Sequence, residues 1–345
     1  SNNYKLMKLS DYYIDKELIY NSAISDIYTA IDKFNNLPVC LKIVDEDFSL
    51  PPHSIHREVL ILKTLKPHPN IIEYFNDLKI CDDIILVTKL YRYDLSQLIE
   101  ITKYCKRTTR FIYGINGNLV SNQYTLANEI EEKDIKLWLK SMSSGLEFIH
   151  SQGIIHRDIK PSNIFFARDD ITQPIIGDFD ICYDLKLPPK DEPPMAKYID
   201  VSTGIYKAPE LILGITNYEY EIDIWSLGII LTGLYSENFQ SVLVKDDKEL
   251  TNDSHVSDLY LLNQIFENFG TPNLTDFEDE LFCDEYNNEN LHFKKFNLQK
   301  YPRRDWDIIL PRCNDDFMKD IFTKMIRYDR SSRITSKEIL QLMLD

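Results

Sequence analysis

The apolar pattern of this chain changes period near residue 90, and that change limits the folds open to it. Ahead of it the segments are short and rich in β-branched and aromatic residues. "LIYNSAISDIYTAID" and "LPVCLKIV" read as strands flanking a turn at Asn35-Asn36, and "DDIILVTKLY" reads as another. One helix interrupts them: after Pro51-Pro52, "HSIHREVLILKTL" places Val59, Leu62 and Leu65 at helical spacing. Beyond the change helices dominate. "EKDIKLWLKSMSSGLEFIHSQG" ends on Gly153 as a C-cap, and "YEIDIWSLGIILTGLY" and "DFMKDIFTKMIRYD" follow. Strands first and helices after predict an α+β fold of two lobes within one domain. The small β-rich lobe is expected over residues 1–91 and the larger helical lobe over 92–345. Two stretches read as insertions and are expected as exposed loops. Residues 100–133 run from basic (Lys103, Lys106, Arg107, Arg110) to acidic (Glu129, Glu131, Glu132), and residues 236–258 are polar and acidic.

The net charge of −16 over 345 residues argues against nucleic acid or an anionic membrane as a main partner. No apolar run reaches transmembrane length and no signal peptide is visible. The start at Ser1 reads as a processed or cloned terminus. Cys40, Cys81, Cys105, Cys182, Cys283 and Cys313 form no C-x-x-C pair, so a reducing compartment, cytoplasm or nucleus, is expected, without a structural zinc. The pair His53-x-x-His56 has metal-like spacing but no third ligand nearby, and reads as the surface of a helix start.

The densest chemistry lies in "IIHRDIKPSN", residues 154–163. Phosphoryl transfer needs a carboxylate near the attacking hydroxyl, a cation near the moving phosphate and a metal ligand close behind. Asp158 can accept or orient the hydroxyl proton, Lys160 can neutralise charge on the phosphate, and Asn163 can bind magnesium through its amide oxygen. Downstream, "IIGDFDICYD" supplies Asp178 after a short apolar strand, a second magnesium ligand. Upstream, Lys42 in "VCLKIV" can reach the α- and β-phosphates of ATP, and Glu58 on the following helix can pair with it.

These residues, in this order, resemble the eukaryotic protein kinase family from about Tyr13 to Leu344. "CLKIV" is similar to its lysine strand, "HRDIKPSN" to its catalytic loop, "DFD" to its DFG motif, Ala208-Pro209-Glu210 to its APE motif and "DIWSLG" to its αF helix. The resemblance implies ATP and Mg2+ as cofactors and serine/threonine specificity, from Lys160. It implies that Thr203 bonds the catalytic carboxylate and lysine, that Glu210 pairs with Arg333 and that Asp223 braces the catalytic loop. It further implies nucleotide contacts from Ile19, Ser22, Ser25 and Ile27 of the first hairpin, a gatekeeper at Thr88, and backbone contacts to adenine from Leu90 and Tyr91. "IFENFGTPNLTDF", residues 265–277, resembles a segment of the cyclin-dependent and mitogen-activated kinases. "LPPHSIHREV", "DVSTGIYKAPE" and a glycine-free nucleotide loop are similar to the monomeric kinases of budding yeasts that activate cyclin-dependent kinases. That likeness implies cyclin-dependent kinases as substrates, no cyclin requirement and a monomer.

Four departures from the family pattern bear on function. "YNSAISDIY" places Tyr20, Ser22 and Ser25 at the three usual glycine positions, so serine hydroxyls are expected to contribute donors to ATP there. Asp180 replaces the DFG glycine and either stiffens the segment or adds charge near the metals. Arg157 would ordinarily pair with an activation-segment phosphate, yet between Asp178 and Glu210 the only serine or threonine hydroxyls are Ser202 and Thr203. Activity without such a phosphate is expected, with Asp191, Glu192 or Asp200 supplying the charge. Finally, Ile205-Tyr206-Lys207 stands where proline-directed relatives carry Trp-Tyr-Arg. Two rival readings share the fold: a kinase of the same group with other substrates, and a scaffold that has lost catalysis.

Overall fold

The computed structural model describes residues 7–101, 103–167, 170–244, 257–272 and 299–344. Cys283, the centre of the 236–258 stretch and the end of the 265–277 run lie outside them. Alternating side chains build the first layer. β1 (Tyr13–Asn21), β2 (Asp26–Asp32), β3 (Pro38–Asp45), β4 (Tyr74–Ile80) and β5 (Asp83–Lys89) form one antiparallel sheet in the order β1-β2-β3-β5-β4. The period of two divides β3 and β5 between two environments. Val39, Leu41, Ile85 and Val87 pack into a small cluster on one face. Val44, Ile84 and Leu86 face the main core, on the side that also carries Lys42 and Thr88.

Between β3 and β4 runs α1 (Ile55–Thr64), capped by Ser54, whose Oγ accepts the Arg57 N–H at 3.2 Å. Ile55, Glu58, Ile61 and Leu62 share its buried face, three and four residues apart. Leu65, expected on this helix, is instead its extended C-cap.

The helical part follows the short strand β6 (Tyr93–Asp94). Its amphipathic backbone is the twenty-residue α2 (Glu132–Ser151). The 100–133 stretch corrects the expected loop: β7 (Cys105–Tyr113) and β8 (Leu119–Asn128) pair antiparallel in a hairpin. Its strands carry Thr, Phe, Ile, Val and Tyr, and Asn116-Gly117 turns them, Gly117 at φ +74°. The root is fixed. Tyr104 lies edge-on to Trp138 at 5.4 Å, and Asn128 Nδ2 donates to the carbonyls of Leu234 and Ser236, both at 2.8 Å. From Lys106 to Ala127 no residue is buried.

Next come α2 (Glu132–Ser151), β9 (Ile154–Ile155), β10 (Ile164–Phe166), β11 (Ile175–Ile176) and β12 (Tyr183–Asp184). Two small ribbons, β9–β12 and β6–β10–β11, frame the loops between them. The remaining helices are α3 (Pro209–Ile212), α4 (Glu221–Leu234), α5 (Asp258–Phe269), α6 (Trp306–Ile309), α7 (Asp316–Met325) and α8 (Ser336–Leu344). α4 is apolar on nearly every side and buried accordingly, which makes it the post around which the others pack. No helix among the described residues is long and apolar enough to cross a membrane.

Because the hairpin blade buries nothing, replacing residues 106–127 by a short Gly-Ser linker should leave the melting midpoint within about 2 °C of the parent, measured by differential scanning fluorimetry.

Candidate active site

Lys42 leaves β3 on the cleft side, and its ammonium is surrounded by carboxylates. Glu58 lies at 2.7 Å, Asp180 at 3.4 Å and Asp178 at 3.6 Å. Burial works against the Lys42 charge, but these three together outweigh it and raise its pKa. Burial also pushes the Glu58 carboxyl up, and the lysine opposes it. The second oxygen of Glu58 accepts the Phe179 N–H at 2.9 Å, which ties α1 to the segment after β11. Asp178 keeps its side chain 42% exposed toward the cleft.

The catalytic-type loop between β9 and β10 is held from beneath. Asp223 of α4, 1% exposed, accepts the N–H groups of His156 and Arg157, both at 2.9 Å, and the Nε2 of His150 at 2.8 Å. His156 donates Nε2–H to the Gly177 carbonyl at 2.8 Å, so its Nδ1 is the acceptor for the Asp158 N–H at 3.1 Å. Asp158 therefore emerges with a fixed orientation. Its Oδ1 accepts the Thr203 hydroxyl at 2.8 Å, and that same hydroxyl accepts from Lys160 Nζ at 3.3 Å. Lys160 lies 4.0 Å from Oδ2. Burial raises the Asp158 pKa, and Lys160 works the other way.

Asn163 turns its amide N–H groups toward Asp158, 2.8 Å from the carbonyl and 3.3 Å from Oδ2, which leaves its Oδ1 for a cation. A magnesium ion takes one or two protein oxygens and completes its shell with phosphates and water. Asn163 Oδ1 and the open Asp178 carboxylate fit that demand with hard oxygen donors. No larger group of metal-ligating side chains gathers among the described residues.

Arg157 is wholly buried and reaches into the activation segment. Its Nη1 and Nη2 meet the two oxygens of Glu192 at 2.5 and 3.1 Å, and Nε donates to the Ile181 carbonyl at 2.6 Å. Of the three carboxylates the sequence offered, Glu192 is the one at Arg157. Asp191 instead accepts the Tyr198 hydroxyl at 2.9 Å. Lower down, Arg333 and Glu210, both without solvent exposure, form a two-bonded pair at 2.7 and 3.1 Å.

The β1–β2 turn shows how a loop here can do without glycine. No residue from Tyr20 to Ile27 has a positive φ, so no position demands a missing Cβ. Ser22 closes the turn itself. Its Oγ accepts the N–H groups of Ile24 and Ser25 at 3.2 and 3.1 Å and donates to the Ser25 carbonyl at 3.1 Å. In this turn the Ser22 hydroxyl spends its donor on the Ser25 carbonyl rather than outward. Ile19 falls at a register shift between Leu18 and Tyr20 and is 56% exposed. Ile27 pairs with Lys42, so both side chains leave the sheet on one face. Thr88, 5% exposed, sits two strand positions beyond Leu86 on that face, and Leu90 and Tyr91 lead from β5 toward β6. The Tyr91 hydroxyl accepts the Glu73 N–H at 3.0 Å.

Thus Lys42, Glu58, Asp178, Asp158, Lys160, Asn163 and Thr203 line one cleft, while Arg157, Asp223, Glu210 and Arg333 lie beneath it. Nothing in the local sequence connects His53 or His150 with this cleft. His53 contacts Asp180, and His150 bonds both Asp223 and, at 3.2 Å, Ser336. The H-x-x-H spacing of His53 and His56 points to a metal rather than to Asp180, and "FIHSQG" carries no signal for His150.

The protein kinase domain family matches residues 13–343. The chain is similar to the mitogen-activated protein kinase HOG1B of Wallemia ichthyophaga, 29% identical over 97% of this chain and 77% of that protein. It is similar to the mitogen-activated protein kinase HOG1 of Gibberella zeae, 28% identical over 96% of this chain and 78% of that one. It is also similar to the serine/threonine-protein kinase CAK1 of Saccharomyces cerevisiae, 30% identical over 69% of this chain and 70% of that protein.

Removing Glu192 leaves a buried guanidinium without its counter-charge. Glu192→Ala should lower the free energy of unfolding by about 3–5 kcal/mol, measured by urea denaturation, whereas Asp191→Ala should change it by about 0.5 kcal/mol or less.

Proposed function

The chain belongs to the protein kinase family, and we propose that it is an active serine/threonine kinase that phosphorylates the activation-loop threonine of cyclin-dependent kinases. It would act as a monomer, without a cyclin and without a phosphate on its own activation segment. The observation that carries the activity is the Thr203 hydroxyl, which donates to Asp158 and accepts from Lys160 beside the Lys42–Glu58 pair. A scaffold has no physical need for that arrangement.

In this reading ATP lies under the β1–β2 turn, with adenine between Ile19, Ile27, Thr88 and the backbone of Leu90 and Tyr91. Lys42 bonds the α- and β-phosphates. Asn163 Oδ1 and the Asp178 carboxylate would hold a magnesium ion, which would supply neutralisation of the phosphate charge. The substrate hydroxyl donates its proton to Asp158, whose other oxygen is fixed by Thr203. The hydroxyl oxygen forms its bond to the γ-phosphorus as the bond to the bridging oxygen breaks, and ADP leaves. Lys160 offsets the charge on the transferred group.

Two features support the substrate assignment. Glu192 gives Arg157 the two-oxygen anion that a segment phosphate gives in relatives, so no upstream kinase is required. Lys207, at the acceptor-side pocket, is a point charge bonded to Asp258 at 3.2 Å, and it has no planar fork for organising a proline after the acceptor. Likeness to CAK1 of Saccharomyces cerevisiae supports the same reading. The second reading, a kinase of this group with other substrates, draws support from the mitogen-activated kinases, which align over more of the chain.

The deciding experiment incubates the protein and magnesium-ATP with a purified cyclin-dependent kinase, with and without cyclin. Phosphate on the activation-loop threonine in both samples is the expected result. Transfer to casein but not to that threonine would establish the second reading. Prior phosphatase treatment should leave the rate unchanged. Asp158→Asn should lower kcat about 10²–10⁴-fold. Since burial raises the Asp158 pKa and the ionised form is the proton acceptor, kcat should fall on acidification with an inflection above 3.8, the ordinary aspartate value.

A further inference from the structure

Asp180 is the residue whose place in the fold the proposed chemistry leaves unexplained. It stands where the family pattern has glycine, it is 8% exposed, and each of its polar groups has a partner. Oδ1 lies 3.4 Å from Lys42. Oδ2 is bonded by His53 Nδ1, and because a carboxylate only accepts, Nδ1 carries the proton. The carbonyl accepts the N–H of Ser54, the cap of α1, at 3.1 Å. His53 and Ser54 are the two residues that lead into the helix carrying Glu58.

These contacts belong to a row. Arg57 Nη1 donates to the Cys182 carbonyl at 2.8 Å, and Glu58 accepts the Phe179 N–H at 2.9 Å. Residues 53, 54, 57 and 58 therefore meet residues 179, 180 and 182 one after another. The Asp180 side chain is the one that reaches both the start of α1 and Lys42.

We propose that Asp180 and His53 are positioning residues, a latch that fixes the first turn of α1 to the activation segment and so keeps Glu58 on Lys42 without a second protein. A free aspartate at this point would be harmful in two ways. It would compete with Glu58 for the ammonium, and it would place a second negative charge beside the phosphates. Binding Oδ2 to His53 ties the carboxylate to the start of α1 while Oδ1 stays 3.4 Å from Lys42. A glycine would present no side chain to α1 and would let the backbone at 180 rotate. The latch thus provides from within the chain the helix placement on which the Lys42–Glu58 pair depends.

This inference rests on the proposed kinase activity for one of its two readouts only. Amide hydrogen exchange across Ile55–Thr64 is measured by mass spectrometry, and kcat and KM for ATP are measured with casein as acceptor. His53→Ala and Asp180→Gly should each speed exchange in that helix and lower kcat about tenfold, while KM for ATP changes less. The double variant should be no worse than the weaker single one, because both remove the same interaction. His53→Asn, whose amide can donate from the position of Nδ1, should restore both readouts to within about threefold of the parent. The latch is overturned if His53→Ala leaves exchange and kcat within about twofold of the parent, or if the two single effects multiply in the double variant. A parent protein that transfers no phosphate at all would overturn the kinase reading, and helix exchange would still decide the latch.

Discussion

The pair of Arg157 and Glu192 is the interaction on which the rest of the cleft depends. Its guanidinium has no solvent exposure, and a buried charge of that size is tolerable only with its bonds filled. Glu192 fills two of them, the Ile181 carbonyl a third, and the Tyr198 N–H shares a Glu192 oxygen at 3.0 Å. Arg157 immediately precedes Asp158. Whatever holds the arginine side chain therefore sets where the next carboxylate stands. The same pair fixes the activation segment in one course, so that Thr203, eleven residues beyond Glu192, arrives at Asp158.

The backbone carries strain where these groups converge. Arg157, Asp178 and Ser202 all have positive φ, at 72°, 56° and 65°. Such a conformation costs about 1–2 kcal/mol for a residue with a Cβ. Each is held by bonds that a relaxed backbone would break. Asp223 takes the Arg157 N–H, the Ser202 hydroxyl donates to the Arg157 carbonyl at 2.8 Å, and Asp178 accepts the Asp180 N–H at 3.3 Å. Asp223 works from α4, the most deeply packed helix, so the strained loop is referred to the rigid centre of the protein.

Much of this was legible in the sequence because it is local. Lys160 and Asn163 lie two and five residues after Asp158, and a single short loop brings them together. The α+β order and the places of α1, α2, α4 and α7 follow from apolar spacing, which depends only on neighbours along the chain, whereas α3, α5, α6 and α8 carry no such signal in the reading above. What escaped was long-range or ambiguous. His53 and Asp180 are 127 apart in sequence, and nothing in either neighbourhood names the other. Asp191 and Glu192 are adjacent carboxylates, and only packing distinguishes the one turned to Arg157. The hairpin at residues 105–128 is a different failure. Its β-forming residues and its Asn-Gly turn are hairpin signals, but the switch from basic to acidic residues along the same stretch is equally the pattern of a solvated loop.

The glycine-free turn has a thermodynamic consequence. A glycine-rich loop samples many conformations before it closes over a ligand, and that freedom is lost on binding. Replacing one glycine by a residue whose side chain suits the native φ removes about 0.4–1 kcal/mol of unfolded-chain entropy, and the same narrowing of φ restricts an open loop. Tyr20, Ser22 and Ser25 do so at three positions, and Ser22 adds bonds that persist without any ligand. The β1–β2 turn is in this sense pre-ordered: what it gives up in close backbone approach it regains as disorder that never has to be removed.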